Sequence, residues 1–196
     1  MYENIYVLQK EYAAQNGVPV MTDEGIALLQ TAVASAAPAA ILEIGTAIGY
    51  SGLRMLEAAP SDARLYTVEL DAVRAEKARD YFRSAGVYDR VEIWEGDAAE
   101  VLAYAEGRFD FIMLDGPKGH YDRYFYDIDR LLKPGGVLFA DNVSFKGKRH
   151  IEGTPEHKHR TIINSLNAFL KKVNGGDYFT VTLETGDGIS LSVKKR

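Results

Sequence analysis

The chain has no cysteine, which excludes disulfides and thiolate metal sites and fits a reducing, cytoplasmic setting. No apolar run approaches the ~20 residues that span a bilayer, so no membrane partner is expected. The opening MYENIYVLQKEYAAQNG mixes polar and apolar residues too evenly for a signal or transit peptide. Internal repeats, low-complexity tracts and obvious linkers are also missing. Nor is there an excess of positive charge: the net charge is -5 over 196 residues. A nucleic-acid partner must therefore meet a local basic patch rather than a basic protein. What is present, 46% hydrophobic and 26% charged residues, is the composition of one globular domain with a sizeable core.

Short apolar runs alternate with longer helical patterns. The runs are AILEIG (40–45), LYTVEL (65–70), VEIWEG (91–96), FDFIMLD (109–115) and GVLFADN (136–142). Helical periodicity covers Tyr50–Ala59, Ala72–Ala85, Ala98–Ala105 and Tyr121–Leu132. Strands alternating with helices of this length imply βαβ units and a parallel sheet. Lys133-Pro134-Gly135-Gly136 is expected to stop a helix and turn into the fifth strand. A long helix over 154–173 follows, then strands over 178–185 and 189–195 joined at Gly186-Asp187-Gly188, which read as a hairpin. The first 38 residues read as two helices, with Thr22 or Asp23 capping the second. The expected fold is α/β, an open sheet of seven strands, mainly parallel, with a C-terminal antiparallel hairpin.

The stretch ILEIGTAIGYS places Gly45 and Gly49 just beyond the first strand. In open α/β sheets ligands sit beyond the carboxyl ends of the strands, and glycine lets the backbone approach them closely. The spacing is G-x-x-x-G rather than G-x-G-x-x-G, which weighs against hydride transfer. Glu69 ends the second strand 20 residues after Gly49, the interval at which an acid accepts from a ribose diol. Asp97, at the end of the third strand, fits a contact to an adenine amino group, an N-cap for the following helix, or both.

The fourth run ends at Asp115, with Lys118 three residues on, and the fifth ends at Asp141 and Asn142. Asp115 and Asp141 are 26 residues apart, one βαβ unit, so adjacent strands present them side by side. Two carboxylates and an amide oxygen form a hard ligand set suited to Mg²⁺. The alternative is that Asp115 serves only a cofactor and Asp141-Asn142 only a turn. Lys118 either takes or relays a proton or lies on the surface.

ILEIGTAIGYS, VEL with Glu69, and EGDA resemble the binding motifs of class I S-adenosylmethionine-dependent methyltransferases. The resemblance implies a Rossmann-like fold with helices on both faces. It also implies that Glu43 organises the loop near the methionine amino group and that Ser51 binds the methionine carboxylate at a helix N-terminus. With Asp115, Lys118, Asp141 and Asn142 added, the chain resembles the metal-dependent O-methyltransferases of the catechol and caffeoyl-coenzyme A type over nearly its whole length. NGVPVMTDEG, DNVSFKG and GDGISLSVKKR are similar to a bacterial branch, the tRNA 5-hydroxyuridine O-methyltransferases. That resemblance puts cofactor contacts at Met21, Glu43, Gly45, Ser51, Glu69, Asp97, Ala98 and Asp115. It puts metal ligands at Asp115, Asp141 and Asn142, and catalysis at Asp115 and Lys118. The expected layout is one domain, 1–196: N-terminal helices (1–38), a cofactor-binding core (39–142), and a lid, helix and hairpin (143–196).

The leading expectation is a Mg²⁺-dependent methyltransferase acting on 5-hydroxyuridine in the tRNA anticodon loop. Its alternative is the same chemistry on a catechol-like or caffeoyl-coenzyme A-like small molecule; a non-enzymatic nucleotide-binding module is more remote. The tRNA reading leans on 144–160, with Lys146, Lys148, Arg149, His150, Lys158, His159 and Arg160. That segment is either a lid with phosphate contacts or a solvated loop and first helical turn. Trp94 lies near the adenine or in the core. Tyr2, Ile5, Tyr6 and Tyr12 either pack on their own protomer or form the seam of a homodimer.

Overall fold

A computed structural model describes residues 2–144 and 159–196. The chain runs α1 (Glu3–Asn16), α2 (Asp23–Ala36), β1 (Ala40–Ile44), α3 (Tyr50–Ala58), β2 (Arg64–Glu69), α4 (Ala72–Ser84), β3 (Val91–Glu95) and α5 (Ala98–Tyr104). It continues through β4 (Phe109–Leu114), α6 (Tyr121–Leu131), β5 (Leu132–Ala140), α7 (Arg160–Val173), β6 (Tyr178–Leu183) and β7 (Ile189–Lys194). The seven strands form one sheet in the order β3-β2-β1-β4-β5-β7-β6. β1 to β5 pair in parallel, while β7 runs antiparallel to both β5 and β6. The expected Rossmann-like architecture is therefore the observed one.

Alternation of side chains along each strand divides the core. Ile41, Leu65, Phe111, Met113 and Phe139 face α2, α3 and α4. Leu42, Ile44, Val68, Ile112, Leu114 and Leu138 face α5, α6 and α7. Both faces are covered, which is why the central strands read as nearly continuous apolar runs. The helices start where the sequence offers an acceptor. Thr22 caps α2 by accepting from the Gly25 N–H, Asp71 caps α4 from Val73 and Arg74, and Asp97 caps α5 from Ala99. Thr22, not Asp23, is the cap.

Two boundaries differ from the sequence expectation. β5 starts at Leu132 rather than Gly136, with Phe109 opposite Leu132 but Phe111 opposite Val137. The Lys133–Gly136 stretch is thus taken up as an irregularity within the strand, with Gly135 at φ +80°. At the other end β4 and β5 stop at Leu114 and Ala140, which puts Asp115, Asp141 and Asn142 just past the strand ends, where the Asp115 and Asp141 N–H groups make the last bonds to the Ile44 and Leu114 carbonyls. The helix expected over 154–173 is described from Arg160; its first residues, and Lys146, Lys148, Arg149, His150 and Lys158, lie outside the described residues. Tyr6 is buried against Tyr2, Tyr50 and Arg54 of the same chain, with the Arg54 guanidinium 3.4 Å over its ring. Trp94 is half-buried, packs on Tyr66 at the edge of the core and donates to Glu92. Among the described residues, no helix is long and apolar enough to cross a membrane.

Candidate active site

Strand order reverses between β1 and β4, the position at which open α/β sheets leave a crevice. A cleft of about 750 Å³ opens there. Its wall includes Met21, Gly45, Glu69, Asp97, Ala98, Asp115, Lys118, Asp141 and Asn142, so nine of the sequence-predicted residues come together. Glu43 and Ser51 do not line it. Both lie beneath the glycine loop, Glu43 with no exposed surface. The Ser51 hydroxyl donates to one Glu43 oxygen and Thr67 donates to the other at 2.7 Å. Thr67 also shares a hydrogen bond with Thr46, 2.6 Å away. The pair thus braces the loop from below in this structure.

Gly45 is confined by its surroundings. Its φ is +106°, and a Cβ there would stand 2.3 Å from the Asp115 carbonyl oxygen. The loop and the end of β4 touch backbone to backbone, reinforced by the Asp115 N–H donating to the Ile44 carbonyl at 2.9 Å. Glu69 is fixed by two backbone donors, Ala47 N–H at 2.7 Å and Asp71 N–H at 2.9 Å. Each carboxylate oxygen keeps a lone pair for a further donor, so the ribose contact expected of Glu69 is compatible with its position.

The far edge of the cleft carries the acids. The Asn142 amide donates to Asp115 Oδ1 at 3.3 Å, and the Asn142 backbone N–H donates to Asp141 Oδ1 at 2.8 Å. Asn142 adopts φ +58°, a left-handed conformation that asparagine tolerates better than most residues. Buried Tyr121, at the start of α6, donates its hydroxyl to the Asp141 carbonyl at 2.8 Å and lies 3.3 Å from that of Leu114. Burial, then the Asp141 and Glu43 charges, push the Asp115 carboxyl up to about 8. Burial also raises Asp141. Such a pair gains from a cation placed between its members. Among the described residues no group of three or more His, Cys, Asp or Glu is arranged to hold a metal. The fit to a divalent ion therefore depends on two carboxylates and the Asn142 amide, whose oxygen must turn toward the ion in place of the nitrogen that now faces Asp115.

Lys118 sits in a short 3-10 turn, Lys118–His120, with its ammonium 3.1 Å from Asp187. Asp187, Thr185 and Gly186 line the cleft, as do Pro19, Val20 and Arg74; the sequence reading missed all of them. The hairpin tip had a usable signal: an antiparallel strand beside β5 must begin at the carboxyl edge, which brings the preceding turn to the site.

Glu43 gives a pH test. Burial raises its carboxyl from the usual 4.5 to about 7, against the opposing bonds from Ser51 and Thr67. A carboxyl raised by folding favours the native state below its unfolded pKa and loses that contribution as pH climbs through the folded one. Between pH 5 and 8 the ligand-free protein should lose on the order of 3 kcal/mol through this group. Glu43→Gln should therefore be the more stable protein at pH 8 but not at pH 5, as read by urea midpoints; a constant gap across that range counts against the assignment.

A family model described as O-methyltransferase matches residues 4–195. The catechol O-methyltransferase of Niastella koreensis is 35% identical over 161 residues, 79% of this chain and 73% of its own length. Caffeoyl-CoA O-methyltransferase 1 of Eucalyptus globulus is 28% identical, over 76% of this chain and 64% of its own. Among solved structures, the O-methyltransferase from Bacillus cereus in complex with S-adenosylhomocysteine superposes with a TM-score of 0.86 at 26% identity, covering 98% of this chain and 91% of that one. The match takes in the glycine loop, both acidic strand ends and the hairpin, and on that ground the chain belongs to the O-methyltransferase family and is an S-adenosylmethionine-dependent O-methyltransferase.

Proposed function

We propose that the protein methylates one oxygen of a catechol-like small molecule, with a divalent cation such as Mg²⁺ held by Asp115, Asp141 and Asn142. The observation that carries this reading is the convergence of those three residues and Lys118 on the same cleft as Gly45 and Glu69. S-adenosylmethionine supplies an electrophilic methyl group, and a divalent cation favours ionisation of a hydroxyl near it. The protein's own work is placement. Glu69 and the glycine loop orient the cofactor's ribose end, and Asp97 faces its base. Asp115, Asp141 and Asn142 would hold the cation and with it a dihydroxy edge against the methyl. Lys118, whose ammonium faces Asp187 on the same wall, would relay the hydroxyl proton once it has given up its own.

The relatives bear on the candidate substrates. They include a catechol O-methyltransferase and a caffeoyl-CoA O-methyltransferase, which supports a small-molecule hydroxyl over RNA. The cations invoked for tRNA fall largely outside the described residues. The test is direct: the enzyme, S-adenosylmethionine and Mg²⁺ are incubated with a catechol, with caffeoyl-coenzyme A and with hydroxyuridine-containing tRNA, and products are weighed by mass spectrometry. Methylated catechol as the dominant product is expected. Methylated tRNA with no catechol product reverses the assignment.

A further inference from the structure

We propose that Asp187, at the tip of the β6–β7 hairpin, is a positioning residue that holds the Lys118 ammonium at the cleft mouth and away from the Asp115–Asp141 pair. The inference rests on the metal reading above and adds a residue to it.

Three observations support it. The first is the 3.1 Å ion pair itself, between side chains 30% and 48% exposed. A pair that open to water adds little to stability, so its consequence is where it leaves the charge. Second, the tip is bolted to the chain that follows the metal ligands. Ser144 donates to the Asp187 carbonyl through both its N–H, at 2.8 Å, and its hydroxyl, at 2.6 Å, and the Val143 N–H donates to the Gly188 carbonyl at 2.9 Å. Gly188, at φ +83°, brings its Cα so close that a Cβ would meet the Ser144 hydroxyl at 2.9 Å. Asp187 is thereby carried by the same chain segment as Asp141 and Asn142, and none of these contacts uses its carboxylate.

Third, Lys118 lines the same cleft as Asp115 and Asp141. A lysine stem is long and flexible. Released from Asp187, the ammonium can turn toward those two carboxylates on the shared wall. It would then occupy the position a divalent ion needs and leave the place where a hydroxyl proton is exchanged. Asp187 prevents both by offering a partner at the hairpin tip.

The experiment uses the full chain, stripped of metal, with Mn²⁺ as the probe and calorimetry as the readout. Asp187→Ala is expected to weaken Mn²⁺ binding about tenfold, since an intruding ammonium competes for the carboxylates. In a Lys118→Met background the same substitution should cost much less, no more than the loss of one exposed carboxylate charge near Asp141; the difference is the coupling a double-mutant cycle isolates. Asp187→Glu should restore most of the loss. With a catechol substrate, Asp187→Ala should lower kcat about tenfold or more and leave the KM for S-adenosylmethionine alone. Equal Mn²⁺ affinity in Asp187→Ala and the parent overturns the proposal, as does an equal loss with and without Lys118. A parent protein that binds no Mn²⁺ overturns the metal reading and this inference together.

Discussion

Asp141→Ala should lose turnover by a factor on the order of a hundred to a thousand, the range seen when one group stabilising a developing charge is removed. Cofactor affinity should stay within a few-fold of the parent. Asp141 lies at the end of β5, with its carboxylate tied to the Asn142 N–H. The glycine loop and Glu69, on β1 and β2, lie on the far side of β4. The substitution removes one of the two charges facing the proposed cation and also lifts one cause of the raised Asp115 carboxyl. The protein should fold, because Asp141 contributes its backbone to the Tyr121 and Leu114 bonds and those remain. Calorimetry with S-adenosylmethionine and a methyl-transfer assay separate the two effects. If the chelator-treated parent turns over at full rate, or Asp141→Ala does, the Asp115–Asp141–Asn142 site is not a metal site.

The second large effect is on stability. Gly45→Ala should cost on the order of 3 kcal/mol or more, the sum of a left-handed backbone that alanine resists and a Cβ driven to 2.3 Å from the Asp115 carbonyl. Either the loop or the end of β4 must move, so cofactor binding should fall with stability. Gly17 and Gly86 supply the control. Their φ values are +62° and +67°, and an added Cβ meets nothing within 4 Å. Alanine there pays only the conformational part, about 1 kcal/mol. Urea midpoints for the three variants separate conformation from collision; equal costs at all three would show that the approach of Gly45 to Asp115 is not tight.

Most of the sheet was legible because both its faces are covered. Leu42 and Ile112 pack one way, Ile41 and Phe111 the other, so each central strand shows as an apolar run bounded by polar residues. Strand ends were legible for a related reason: an acid closing such a run, as Glu69 and Asp115 do, has no apolar partner and must face the crevice. Three things were not legible. Glu43 lies in the same run as the binding residues, and only its bonds to Ser51 and Thr67 reveal that it braces the loop from beneath. The start of β5 was hidden because Pro134 and two glycines spell a turn, while the irregularity there takes up the additional residues without ending the strand. Asp187 sits in a stretch that reads as hairpin chemistry alone. Its meeting with Lys118, 69 residues away in the chain, depends on β7 entering between β5 and β6; only once that neighbour is known does strand direction bring the tip to the carboxyl edge.

Tyr121 links this geometry to how the enzyme can change. Its buried hydroxyl donates to the Asp141 carbonyl at 2.8 Å and lies 3.3 Å from that of Leu114, which adds a side-chain tie to the ladder where β4 and β5 present the acids. The chemistry therefore stands on ladder and core, while Pro19, Val20 and the 185–187 tip rise from connecting segments. Loops accept substitutions and changes of length that strands do not. Exchanging Pro19, Val20, Thr185 and Gly186 for a relative's residues, with Asp187 kept for its pair with Lys118, is thus a route to a new substrate range, and selection on what enters need not disturb selection on what reacts.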